Sequence, residues 1–166
     1  MSKDTTTPDE KIVANNPNGE AADVTNYKAF SADQFFAQAL NLKTEFVPLP
    51  EIGGGIWIRE LTGLQRDKYE ETLIQGKGKN RRVSLQGARA RLIIFSAVEG
   101  PDPALVEAGK ADPPGADAKP LFRMSNIAQI NSLGASFVEP LAEAARRLSG
   151  ITDDETEAVE DLKNDD

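Results

Sequence analysis

The stretch TEFVPLPEIGGGIWIREL, residues 44–61, decides the fold of this 166-residue chain. Apolar runs lie on both sides of three consecutive glycines at residues 53–55, and this pattern is typical of two antiparallel strands joined by a turn. Pro48 and Pro50 lack the N–H group that a sheet ladder needs. The sequence therefore predicts a β-hairpin whose first strand lies at an edge or ends early.

Trp57 lies on the second strand of this hairpin, on the same face as Arg59 and Leu61. Because that face mixes apolar and charged side chains, we expect Trp57 to be partly exposed. It then either covers the rim of the domain or serves as a docking contact, since large aromatic residues commonly anchor interfaces.

Helical patterns flank the hairpin. Capping boxes, in which a hydroxyl and an amide three positions later satisfy free backbone groups, predict helices over residues 32–41 and 63–75. The pairs are Ser31 with Gln34 and Thr62 with Gln65. Within VSLQGARARLIIFSAVEG, residues 83–100, a wide apolar stripe predicts the central buried helix.

Two further helices are expected near the end of the domain. Ser125 is the expected cap of a short helix, and a last helix over residues 136–148 closes at Gly150 with Pro140 in its first turn. The predicted fold is mostly α, a small helical domain with one β-hairpin, a disordered N-terminal arm and an acidic C-terminal tail.

Composition predicts the domain limits. Residues 1–26 are polar and rich in turn formers, so we expect a disordered arm. Residues 27–150 form the single domain. Within it, residues 99–120 hold five prolines and three glycines, which predicts a mobile insertion without regular structure. Residues 151–166 are the acidic tail.

Charge and composition exclude several kinds of site. The chain has no His and no Cys, which excludes disulfides, thiol nucleophiles, imidazole ligands and His-based triads. The remaining Ser, Thr, Lys, Tyr and carboxylate groups stand in no recognisable catalytic setting, so no enzyme and no cofactor are predicted. The acids match no calcium loop, and the glycines match no phosphate-binding motif. We expect a soluble, intracellular protein with no membrane span.

The formal net charge of −8 is concentrated at the C-terminus. Residues 153–166, DDETEAVEDLKNDD, carry eight acids and one Lys, a net of −7, so the preceding chain is close to neutral. Thr152 and Glu155 match a capping box, and Ala158, Val159 and Leu162 could form one weak apolar edge. The tail is either a solubilising segment or a partner-binding segment that folds on contact.

The only basic run lies in residues 77–91. It could contact the phosphates of a nucleic acid, an acidic partner surface or the chain's own acidic tail, or simply be solvated. Its members are Lys77, Lys79, Arg81, Arg82, Arg89 and Arg91. Nucleic acid is the less favoured partner, because the body of the chain has no net positive charge and this run lacks base-stacking aromatics.

The order of these elements resembles the tail assembly chaperones of long-tailed, siphovirus-like bacteriophages over residues 30–152. The resemblance is carried by PLPEIGGGIWIRELTG, QRDKYEETL, RARLIIFSAVEG, PLF, SNIAQINSL and VEPLAEAARRLSGIT. The Pro-rich insertion at residues 99–120 is longer than this family leads us to expect. Many such proteins are made in short and frameshift-extended forms.

The resemblance implies a non-catalytic protein that binds the tape measure protein, keeps it soluble and promotes assembly of the tail tube around it. It implies action in the host bacterial cytoplasm, absence from the mature virion and possible self-association. Such a chaperone needs apolar surface that it can offer reversibly. The candidates for that surface are Trp57, Tyr69, Leu73, Ile74, Phe137 and Leu141. The alternative function is a small nucleic-acid-binding regulator that uses residues 77–91.

Overall fold

The computed structural model describes residues 13–15, 21–23, 27–76 and 78–152, and the chain divides into two compact units, residues 1–39 and 40–166. In the first unit, β1 (Val13–Asn15) pairs antiparallel with β2 (Ala21–Asp23), and α1 is Ala32–Ala39. The rest of the predicted arm lies outside the described residues, so its disorder stays a prediction. The acidic tail from residue 153 onward also lies outside them.

Helix α1 starts as its capping box predicts. The Ser31 N–H donates to Gln34 Oε1 at 3.0 Å, and the Gln34 N–H donates to Ser31 Oγ at 3.3 Å. Phe35 and Phe36 meet edge to face and remain 52% and 58% exposed. The helix therefore presents apolar side chains to solvent.

The second unit combines helices with a small sheet. In chain order its elements are β3 (Thr44–Leu49), β4 (Gly54–Arg59), α2 (Gly63–Leu73), β5 (Ile74–Gln75), β6 (Arg82–Val83), α3 (Ala88–Ser96), β7 (Ala97–Val98), α4 (Pro103–Glu107), α5 (Ile127–Asn131) and α6 (Ala135–Ser149). Helix exceeds strand in the described chain, but the strands go beyond the single predicted hairpin.

The predicted hairpin is confirmed and carries an additional strand. Strands β3 and β4 pair antiparallel from Thr44↔Arg59 to Leu49↔Gly54, and β3 lies at the sheet edge as its prolines predict. The other edge of β4 pairs with β7 through Trp57↔Val98 and Ile58↔Ala97. The prediction that the strands form one β-hairpin and nothing more is therefore wrong.

The central helix is shorter than the stretch that predicts it, and its burial is confirmed. Helix α3 begins at Ala88 and ends at Ser96, inside the stretch of residues 83–100 from which the central helix was predicted. It ends because Ala97 and Val98 use their backbone groups in the sheet: they pair with β4, and Ala97 accepts a hydrogen bond from the Leu121 N–H at 3.0 Å. Strand pairing replaces the last turn of the helix.

Helix α2 begins with the predicted capping box and ends just before a strand pair that sequence patterns did not indicate. The Gln65 N–H donates to Thr62 Oγ1 at 3.2 Å, and the Thr62 N–H donates to Gln65 Oε1 at 3.0 Å. After α2, β5 pairs with β6 through Ile74↔Val83. This pair carries part of the basic run.

The core lies where the sheet, α3 and α6 meet. Leu92, Ile93 and Ile58 are almost fully buried there. Helix α6 contributes Ala142, Ala144 and Ala145, whose small side chains allow close approach to α3. The last helix was predicted within one residue at each end. Pro140 is its sixth residue and lies in the second turn, so the prediction that it falls in the first turn is wrong. Ser125 is not the cap of α5, because it lies inside a 3-10 turn, Met124–Asn126.

The Pro-rich segment, residues 99–120, contains regular structure. Helix α4 starts with Pro103 and is capped by Asp102, whose carboxylate accepts from the Ala104 N–H at 2.9 Å. Pro is tolerated in a first helical turn, because the backbone N–H that it lacks would have no partner within the helix there. The prediction that this composition excludes any regular element is therefore wrong. No helix in the described part of the chain has the length and apolarity to cross a membrane.

Candidate protein-docking groove

Three of the six predicted docking residues line one cavity of the second unit. The cavity has a volume of about 450 Å³ and is bordered by α2, α3, α6 and the β5–β6 pair. We call it the groove. Its main apolar side chains are Tyr69, Leu73, Ile74, Val83, Leu85 and Leu92.

The first two of these side chains, Tyr69 and Leu73, lie on neighbouring turns of α2. Tyr69 and Leu73 are four residues apart and therefore share one helix face. Ile74 follows directly in β5, where it is 38% exposed, and it pairs with Val83. The end of α2 and the adjoining strand pair thus form a continuous apolar wall.

Tyr69 lies at the buried end of this wall. Its side chain is 8% exposed and meets the Phe95 ring edge to face at 6.5 Å between centroids. Burial raises the pKa of the Tyr69 phenol, and the nearby positive charges of Arg146 and Arg91 oppose that shift. The phenol is therefore neutral under ordinary conditions and contributes mainly apolar surface.

Charged side chains surround the apolar wall. Three arginines, Arg66, Arg89 and Arg146, and one acid, Glu70, line the groove. We call the three arginines the rim arginines. Arg66 pairs with Glu70 at 2.9 Å, and Arg89 pairs with Glu139 at 3.2 Å. These pairs are partly exposed, and such pairs contribute little to stability, so a ligand can replace them.

The basic run is divided in the structure. Lys79, Arg81 and Arg82 are exposed on and beside the connection between β5 and β6. Arg89 lines the groove, and Arg91 donates from Nη1 to the Gln86 carbonyl at 2.7 Å. Lys77 lies outside the described residues.

The other predicted docking residues do not line the groove. Trp57 is 8% exposed, so the expected partial exposure is wrong. Its Nε1–H donates to the Pro101 carbonyl at 2.8 Å, and its ring meets Phe46 edge to face. Leu141 is 3% exposed in the core, and Phe137 is half-buried.

Arg59, beside Trp57 on β4, was not recognised as a structural residue from the sequence. It is 4% exposed, and its Nη1 donates to the carbonyls of Gly115, Ala116 and Ala118 at 2.9, 2.9 and 3.3 Å. Burial lowers the pKa of the guanidinium, and the charge of Asp117 opposes this shift. Arginine keeps its charge in proteins, so Arg59 acts as a cation that binds the Pro-rich segment to the sheet.

Sequence reasoning also missed two rim arginines. Arg66 could have been found from its position four residues before Glu70, which is typical of an ion pair on a helix. Arg146 follows the buried stripe of α6, and no local pattern marks it as part of a binding site.

The described ranges contain no group of three or more acidic residues placed to hold a metal ion. No protein-family model, curated protein or solved structure matches this chain.

Proposed function

We propose that this protein is a non-catalytic tail assembly chaperone of a long-tailed bacteriophage, which binds the tape measure protein and keeps it soluble while the tail tube assembles. The groove is the observation that carries the proposal. It joins an apolar wall to a charged rim on a folded body, and its volume of about 450 Å³ suits several side chains of a partner.

A helical partner suits this shape. An amphipathic helix presents anchors at three- and four-residue spacing and binds by placing them in an apolar groove. This chain resembles tail assembly chaperones, and the tape measure proteins that such chaperones bind are long and helical. Their apolar stripes must be shielded from solvent before assembly. A short groove can cover one segment at a time and release it.

Helix α1 offers a second apolar surface. Besides Phe35 and Phe36, the neighbouring Tyr27 and Phe30 are 77% and 56% exposed. A surface with this many exposed aromatic side chains is typical of a protein that binds other chains. This observation supports a binding role, and it supplies a second contact for tape measure or tail tube protein.

The proposal places the chaperone in the host cytoplasm and leaves it out of the finished virion. The alternative, a nucleic-acid-binding regulator, is favoured by one observation: Lys79, Arg81 and Arg82 are all exposed on or beside the connection between β5 and β6. Binding to DNA that weakens steeply with salt would support the regulator.

Co-expression with the tape measure protein encoded nearest to this chain tests the proposal. Ile74→Asp places a charge on the exposed wall of the groove, whereas Leu105→Asp places one on α4, where Leu105 is 44% exposed and does not line the groove. We expect capture of soluble tape measure protein to fall on the order of tenfold with Ile74→Asp and to stay unchanged with Leu105→Asp. Equal capture by both variants, or no capture by the natural chain, contradicts the proposal.

A further inference from the structure

We propose that the chain's own acidic tail, residues 153–166, docks in the groove when no partner is bound. The inference rests on the groove being a docking surface, as proposed above, and adds a competitor for that surface. The tail is then an internal substitute for the partner helix. Three observations carry this inference: the path of the chain, the charge of the rim and the apolar pattern of the tail.

The chain leaves α6 at the edge of the groove. Gly150 has φ 63°, and the Ile151 N–H donates back to the Arg146 carbonyl at 3.0 Å, which forms a Schellman motif. The left-handed residue turns the chain, so Ile151 packs against the core and lines the groove. The acidic tail therefore begins only two positions after Ile151, which lines the groove.

The charges of the groove and the tail are complementary. The groove is lined by the three rim arginines and by one acid, Glu70, so its lining has a net positive charge. The tail has a net charge of −7, while the rest of the chain is close to neutral. The carboxylates that pair with Arg66 and Arg89 are partly exposed, so tail carboxylates can replace or join them.

The tail also carries apolar side chains at helical spacing. Ala158, Val159 and Leu162 are spaced so that they would share one face of a helix started by the capping box of Thr152 and Glu155. At about 1.5 Å per helical residue, a tail helix would place Leu162 roughly 16 Å from Ile151 along its axis. This length allows the apolar face to lie along the wall formed by Leu73, Ile74 and Val83.

Covalent attachment compensates for the small size of this apolar face. A segment tethered by a short connection has an effective concentration on the order of millimolar, so even weak docking is populated. A partner with a larger apolar face displaces it. The groove is thus covered when empty and remains available to a stronger ligand.

A spin label on the tail of the full-length chain tests this inference. The chain has no cysteine, so Lys163→Cys gives a single site for labelling. We expect the label to broaden the methyl resonances of Leu73, Val83 and Leu92 in the groove and to leave those of Leu105 and Leu121 sharp. Broadening that misses the groove overturns the inference.

Two charge variants with the same change in net charge sharpen this test. Arg89→Glu reverses a rim arginine, and Lys110→Glu reverses an exposed lysine outside the groove. We expect the broadening to fall several-fold with Arg89→Glu, with Leu162→Asp, and near 1 M salt, where the Debye length is about 3 Å. Lys110→Glu should leave it unchanged. Equal effects of Arg89→Glu and Lys110→Glu contradict the inference.

Mixed samples decide whether the tail docks within its own chain. Isotope-labelled chains without a spin label are mixed with spin-labelled chains that carry no isotope. We expect no broadening in this mixture, and broadening of the groove resonances there overturns docking in cis.

A tape measure fragment added to the spin-labelled chain separates the two proposals. Release of the tail supports both. A docked tail that the fragment never displaces leaves this inference standing and contradicts the proposed function. Capture of the fragment by a chain whose tail never approaches the groove overturns this inference and leaves the proposed function standing.

Discussion

The groove and the Pro-rich segment belong to the same unit, and they satisfy their polar groups in opposite ways. At the Pro-rich segment, buried donors of Trp57 and Arg59 reach backbone carbonyls through hydrogen bonds of 2.8 to 3.3 Å. At the groove, arginines form partly exposed pairs around an open apolar wall.

This difference indicates a division of roles. Buried hydrogen bonds to a charged donor are costly to break, whereas exposed ion pairs are weak and exchangeable. We infer that the Pro-rich segment contributes to the stability of the unit and that the groove contributes to binding. The following experiments test that division.

The largest effect is expected at Arg59. Arg59→Ala removes one buried cation that holds three carbonyls, and we expect the free energy of unfolding to fall by about 2–4 kcal/mol. Urea unfolding measures the change. Arg81→Ala, which removes an exposed arginine, is the matched control and should change stability by less than about 0.5 kcal/mol. Similar values for both variants would remove the distinction between the two regions.

The next effect is expected at Gly100, where the Pro-rich segment approaches the sheet closely. A Cβ atom at this position would lie 2.5 Å from both Trp57 Cδ1 and Pro114 Cγ, and neither ring can move freely. We expect Gly100→Ala to cost about 1–3 kcal/mol in urea unfolding. Gly63→Ala meets no atom within 4 Å and serves as the control. No loss of stability with Gly100→Ala would show that the contact is easily relaxed.

A smaller effect, confined to alkaline pH, is expected at Tyr69. Burial raises the pKa of its phenol above the ordinary value of 10.0. Below pH 10 the phenol is neutral in both folded and unfolded chains. Above it the unfolded chain releases the proton first, so stability is lost as pH rises through the folded pKa. In urea unfolding across this range, Tyr69→Phe should lose less stability than the natural chain. Parallel pH profiles for the two chains would contradict the burial argument.

The smallest effect on stability is expected for the groove variant Ile74→Asp. Because Ile74 is 38% exposed, we expect its free energy of unfolding to stay within about 0.5 kcal/mol of the natural chain. Calorimetric melting measures it. A large loss would show that the groove wall is also a structural element, which contradicts the division of roles.

Sequence reasoning succeeded where the determining contacts are local. Both capping boxes join residues three positions apart, and the hairpin turn and the end of α6 lie at glycines. These features depend on neighbouring residues alone, so a pattern in the chain indicates them directly.

It failed where the contacts are distant. Strand β7 exists because Ala97 and Val98 pair with residues of β4 about forty positions earlier, and Arg59 finds its acceptors 56 to 59 positions later. The groove likewise needs α2, α3 and α6 together, so its apolar residues could be proposed singly but its shape could not. The prolines of residues 99–120 led to the wrong prediction of a segment without regular structure, and they do not reveal the hydrogen bonds that its carbonyls accept from Arg59 and Trp57.

The positions of the aromatic residues give this molecule separate optical reporters. Trp57 is the only tryptophan in the chain, and its indole is held against the Pro-rich segment. Its fluorescence therefore reports events at the sheet, while Tyr69 absorbs inside the groove and the only other tyrosine, Tyr27, belongs to the first unit. Selective excitation of tryptophan can thus follow unfolding of the scaffold while a ligand fills the groove.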